Sequence, residues 1–243
     1  MNHVERQCQY IDTFNASSGK EADFGILGPR STLLRARGKF IDKIEVASDW
    51  TGPCELAEGT RILQTLTRWL AISGLEDVEE MLQADISSYV AGGSLVEAFW
   101  KTILCTAVSD RISGRTRPAN ESDGKVLLSW LRDAIAGRTL YKSPEISAVI
   151  DCLMLQVIGR GFFKTAKGLI GTGPCGLQQG DEIYVLFGTS APYVLRMASG
   201  GTLDGLPSGS KALEYFGFCY VHGVMYGEAM DDPKYPVAVV YLT

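Results

Sequence analysis

Gly217-Phe-Cys-Tyr-Val-His-Gly-Val-Met-Tyr-Gly-Glu-Ala-Met230 holds one of the chain's two histidines. Read as a strand, it sends Phe218, Tyr220, His222, Val224 and Tyr226 to one face, and Cys219, Val221, Gly223 and Met225 to the other. The second face is small and apolar, as a packed core requires. The first is aromatic and able to hydrogen-bond, which suits a pocket wall or a sheet–helix interface.

Working outward, the sequence from 160 onward keeps this strand character. Short apolar runs at 162–163, 168–170, 182–187, 193–196, 213–224 and 237–242 are separated by glycine, proline and Gln-Gln-Gly-Asp turns. Strands at that spacing point to a small barrel or curled sheet. Residues 32–47 alternate apolar and charged positions around Gly38, the expected bulge or tight turn. Between these β regions the period becomes helical. Ile62, Leu66, Trp69 and Leu70 form one stripe. Val96, Phe99, Trp100, Ile103 and Leu104 form another, opened by a Ser94–Glu97 capping-box pattern. Val126, Leu127, Trp130 and Leu131 repeat it, and Ser143-Pro144 is a helix start. Trp69, Trp100 and Trp130 read as core, residues 112–124 as a polar loop, and residues 1–30 as an extended lead-in.

The expected fold is therefore α+β: a small antiparallel β-barrel or curled sheet built from both chain ends, with an inserted helical segment. Its parts would be 1–50 (lead-in and first strands), 51–158 (helices) and 159–243 (barrel-like part), together one compact unit.

With 243 residues, 46% of them hydrophobic, the chain can bury a sizeable core. A net charge of −5 with scattered Lys and Arg argues against a nucleic-acid partner. No apolar run reaches the roughly 20 residues of a membrane span, and the first residues lack a signal-peptide core, so a cytoplasmic location is expected. Six dispersed cysteines without a CxxC read as reduced, mostly buried thiols.

Gly171-Thr-Gly-Pro-Cys-Gly176 matches GxGxxG, but Pro174 and the following Leu-Gln-Gln-Gly-Asp181 deny it the helix that a dinucleotide site needs. It reads as a glycine-rich loop between strands. With only His3 and His222 and no paired cysteines, no metal site is expected. Cofactors are expected to be none. His222 is the one histidine suited to acid–base work, against the simpler reading of a core-edge imidazole. Tyr220, Tyr226 and Glu228 are its natural partners, with Tyr184 and Arg196 contributed by neighbouring strands. Asp181-Glu182 reads as turn chemistry.

Arg160-Gly-Phe-Phe-Lys-Thr-Ala-Lys-Gly-Leu-Ile-Gly-Thr-Gly-Pro174, with residues 180–188, 192–196 and 220–228, resembles the C-terminal region of fungal heterokaryon-incompatibility (HET-like) proteins. Residues 34–44 and 97–103 resemble that family's middle region. The resemblance implies a chain without the family's N-terminal HET domain. It also marks Phe218 and Tyr226 as aromatics where the family carries acids. Both changes make the Tyr220/His222 face more apolar.

Two functions follow as expectations. The first is a cofactor-independent enzyme of fungal secondary metabolism, a cyclase or isomerase acting on an apolar polyketide- or terpenoid-like substrate. In it His222, Tyr220 and Tyr226 would be catalytic, while Phe218, Tyr184, Arg196 and Glu228 bind substrate. The alternative is a non-catalytic recognition module, derived from a heterokaryon-incompatibility protein, that binds a protein partner.

Overall fold

The computed structural model describes residues 14–27, 33–48, 59–75, 88–109, 116–138, 144–199 and 205–243. In chain order its elements are β1 (Phe24–Leu27), β2 (Leu33–Ala47), α1 (Gly59–Ser73), α2 (Leu95–Leu104), β3 (Ala107–Ser109) and β4 (Thr116–Pro118). There follow α3 (Glu121–Ile135), α4 (Pro144–Val157), β5 (Arg160–Thr165), β6 (Ile170–Pro174), β7 (Glu182–Leu186), β8 (Tyr193–Met197), β9 (Ala212–Phe218), β10 (Tyr220–Val221) and β11 (Val237–Leu242). The architecture is α+β, with helices inserted between strands. Contacts divide the chain into two compact units, Met1–Glu45 with Gln178–Thr243, and Val46–Leu177.

In the first unit the strand pairings return on themselves. β2 pairs with β11, β11 with β9, β9 with β8, β8 with β7, and β7 again with β2. The ring is mixed rather than antiparallel throughout, because β11 and β9 run parallel. The residues between them are numerous enough to carry the chain back to the same end before β11 begins. Inside the ring pack Ala36, Tyr184, Leu186, Leu195, Leu213, Val240 and Leu242, flanked by Phe40, Tyr193 and Ala238. β1 is added to the first half of β2, with Phe24 opposite Ala36 and Leu27 opposite Leu33.

Gly38 does not turn the chain. It stays in β2, opposite Ala238 on one side and Leu186 on the other. The irregularity falls two residues later, between Phe40 and Asp42. Glycine is needed here for approach, not for bending: a Cβ would sit 2.8 Å from Leu186 Cα and collide with the Val185 carbonyl. Where it is described, the lead-in is extended at β1 but not before it. Residues 16–19 form a turn, closed by the Gly19 amide donating to Asn15 Oδ1 at 3.1 Å. That turn is docked by Asn15 N–H on Met225 O and Ala16 N–H on Ser190 O, both 3.0 Å.

In the second unit the helical stripes become core. Leu66 and Trp69 on α1 and Phe99 and Ile103 on α2 are wholly buried. Phe162 of β5 stacks on Trp69 at 5.5 Å and meets Phe99 edge-on at 5.9 Å. Trp100 is buried as well, so close to Gly124 of α3 that a Cβ there would lie 2.5 Å from the indole. Trp130, expected in the core, is only half-buried.

Ser94 caps α2 by accepting the Glu97 amide at 3.1 Å, while the Glu97 carboxylate pairs with Lys101. The reciprocal box forms instead on α3, where Asn120 and Asp123 satisfy each other's backbone amides. The loop expected over 112–124 therefore contains β4 and the start of α3. The GxGxxG run is β6 followed by a turn, paired with β5 as a hairpin. Cys105, Cys152, Cys175 and Cys219 are unbridged, and three of them are buried. His3, Cys8, Cys54 and the Ser143 cap lie outside the described residues.

Gly38→Ala is expected to lower stability by about 2 kcal/mol through overpacking at the β2–β7 pairing. Urea unfolding would check it, and a change within 0.5 kcal/mol would contradict the close approach.

Candidate functional site

The 217–230 stretch is a strand only as far as Val221. β9 ends at Phe218, β10 covers Tyr220 and Val221, and residues 222–230 are turns. Gly223 and Gly227 take φ of 88° and 97°, the left-handed region that favours glycine. At Gly227 a Cβ would also meet Ser18 at 2.8 Å. The alternation expected along the stretch therefore fails past Val221. Val224 and Met225 are both buried, while Tyr226 is 54% exposed. Met225 folds back so that its Sδ accepts the Val221 amide at 3.3 Å.

The turn nevertheless joins some of the expected residues. Tyr220, 2% exposed, places its hydroxyl 3.0 Å from His222 Nδ1. With the phenol donating, a neutral imidazole carries its proton on Nε2. Phe14 lies between the two tyrosines, its ring centroid 6.0 Å from Tyr220 and 6.0 Å from Tyr226. Glu228, itself exposed, accepts the Tyr226 amide at 2.6 Å and shapes the turn tip. Phe14 was not foreseen from the sequence, since it stands among polar residues and carries no periodic signal.

Phe218, Tyr193 and Tyr184 form a row across three strands, through the pairs Tyr193–Phe218 and Tyr184–Tyr193. Tyr184 is buried within the ring's core and donates to Glu182 Oε2 at 2.8 Å. Burial, and then the carboxylate beside it, push its hydroxyl far above the ordinary phenol range. Burial likewise raises Tyr193. Arg196 stands opposite Glu214 in β9, three residues along β8 from the Tyr193–Phe218 pair and hence roughly 10 Å away. Its Nε and Nη2 each reach an Asp181 oxygen at 2.7 Å, and its guanidinium lies 3.9 Å from the Phe216 ring centre. Tyr184 and Arg196 thus serve buried carboxylates and do not converge on His222.

Those carboxylates do more than the turn chemistry read from sequence. Asp181 closes the 178–181 turn, its amide on Gln178 O at 3.2 Å and its Oδ2 accepting the Gln178 amide at 2.8 Å. Both carboxylates are also buried and ion-paired. Asp181 and Glu182, expected in a turn, are each 3% exposed. Lys211 Nζ reaches both oxygens of Glu182, at 2.5 and 2.6 Å, and Lys43 Nζ comes within 3.2 Å. Burial alone would raise the Glu182 pKa. The hydrogen bonds from Lys211 and Tyr184 outweigh it and hold the carboxyl below the usual range. One sequence signal existed: Glu182 opens a run whose next four residues are all apolar or aromatic, so its side chain enters the sheet with them.

Among the described residues, no three His, Cys, Asp or Glu side chains cluster as a metal site would require. A groove of about 280 Å³ in the second unit is lined by Ser122, Val126, Trp130 and Ile146 among others, and by none of the expected site residues. No described helix is long and apolar enough to cross a membrane.

Compared with known families, residues 144–235 match the family described as Het-6 beta-barrel domain. The match supports a relationship to the HET-related families, and the chain carries a region similar to their β-barrel. No curated protein and no solved structure matches the chain.

Because the Glu182 pKa is lower in the folded chain than in the unfolded one, its contribution is present above about pH 4.3 and disappears as pH falls through the folded value. Melting temperature should therefore fall between pH 5 and pH 3. Glu182→Gln should be less stable by about 2 kcal/mol at pH 7 and show a shallower acid dependence. Parallel acid profiles for the two proteins would contradict this.

Proposed function

We propose that this chain is a non-catalytic recognition module derived from a fungal heterokaryon-incompatibility protein, and that its 222–230 turn contacts a protein partner. The observation that carries the reading is what became of the side chains suited to chemistry. Tyr184 and Arg196 are each committed to a buried carboxylate, and Tyr220 is buried behind His222. Of the expected catalytic side chains, Tyr226 is the exposed aromatic, backed by Phe14 and held on a turn whose backbone is fixed by Glu228 and two glycines. A half-exposed tyrosine on a fixed turn, with the Glu228 carboxylate at the same turn tip, suits an interface anchor with a polar rim. The Het-6 barrel match supports the same origin.

In this reading the chain corresponds to the part of such proteins beyond the HET domain. It acts in the cytoplasm without a cofactor. A cyclase or isomerase would need an enclosed pocket bordered by His222 to hold an apolar substrate. Its support here is the Tyr220–His222 hydrogen bond alone.

The test compares wild type with Tyr226→Asp as bait in fungal extract, followed by titration of any recovered protein in purified form. The expected result is a protein that binds wild type and binds Tyr226→Asp at least tenfold more weakly, with melting temperature unchanged. A small molecule retained by wild type in native mass spectrometry and lost in His222→Ala, with no protein recovered, would overturn the module and restore the enzyme.

A further inference from the structure

We infer that the outer face of the β2–β11 ladder, in the first unit, is a docking site for an acidic amphipathic helix of a partner protein. The register decides which side chains lie there. Ala36 pairs with Val240 and Gly38 with Ala238, and Ala36, Val240 and Ala238 belong to the ring's interior. The alternate pairs therefore face outward: Arg35 with Tyr241, Arg37 with Val239, and Lys39 with Val237. The result is a row of three cations beside a row of three apolar side chains, about 5 Å apart. Val237 and Val239 are 47% and 43% exposed, too apolar for an ordinary solvated sheet face.

The spacing selects the occupant. Successive cations on β2 repeat at about 6.6 Å, and a helix brings residues i and i+4 round to one edge every 6 Å. Glutamates at that edge would meet the cations while the adjoining apolar stripe covers the valines. An extended acidic strand would present carboxylates alone to this face and leave the apolar row uncovered.

Charge points the same way. Asp23 approaches Arg35 at 2.8 Å and Arg37 at 3.7 Å, so the row already receives one carboxylate from within the chain. At the other end Lys39 donates to the Tyr235 carbonyl at 2.9 Å and feels the charge of Asp232, which Lys234 also pairs at 2.8 Å. The three cations against these two acids still leave the row net positive, on a chain whose net charge is −5. A locally positive strip on an acidic protein favours short-range pairing with carboxylates over general attraction to nucleic acid or an anionic bilayer.

The test uses a labelled synthetic 15-residue helical peptide with glutamate at every fourth position beside a leucine stripe. Controls are its lysine-for-glutamate counterpart and phosphatidylserine–phosphatidylcholine vesicles. Fluorescence anisotropy should show binding of the acidic peptide that weakens as salt rises, and none of the basic one. Arg37→Glu should weaken binding at least tenfold. Val239→Ser should weaken it severalfold, and it keeps the test decisive should Arg37→Glu fail to fold. Equal binding of both peptides, indifference to both substitutions, absence of binding, or binding to vesicles alone would each overturn the inference. None of these outcomes bears on the Tyr226 turn.

Discussion

β2 carries a partner along each edge, β11 on one side and β7 on the other, and this double pairing turns a row of strands into a ring. The interior then fills from every strand at once, with Ala36, Leu186, Leu195, Leu213 and Val240 meeting in one cluster. Closure depends on how near β7 can approach. At Gly38 the facing backbone comes so close that even a methyl group has no room. A ring leaves no long unpaired edge among its members, and that protects short strands which would be weak alone.

The same closure explains the buried charges. Glu182 opens β7 where it pairs with Lys43 of β2, and it takes Lys211 from the residue before β9. Asp181, one residue earlier, takes Arg196 from β8. Two adjacent carboxylates thus tie three other strands or their approaches to the start of β7. Each is held by directed donors, without which a buried carboxylate would be strongly unfavourable. The consequence for function is direct. Tyr184 and Arg196 have the chemistry of a site, yet their positions make them part of the ring's electrostatics.

How much was legible depended on whether a signal was local. The helical stripes around Trp69, Phe99 and Leu127 could be read because a 3.6-residue period is visible in sequence and becomes burial wherever a helix packs. The Asn120–Asp123 box was also local, but it lay in a stretch whose polar composition suggested a loop. Past Val221 the reading failed for a physical reason. Gly223 and Gly227 permit φ values that end a strand, and nothing in apolar–polar alternation reports which glycines take them. The Tyr220–His222 contact formed regardless, since residues two apart lie on one side at a strand's end.

The sequence by itself determined the elements: an α+β chain, helices between two β regions, and strands from both regions forming one sheet. These follow from periodicity, glycine placement and capping residues, which act over a few positions. Tertiary structure alone decided the partners. It made β11 run parallel to β9, moved the irregularity in β2 from Gly38 to the residues after Phe40, and set Phe14 against Tyr220 and Tyr226. It also gave Asp181 and Glu182 their cations and left Tyr226 at the surface. Such choices rest on contacts between residues far apart in the chain, where the energy of meeting depends on every other strand already being in place.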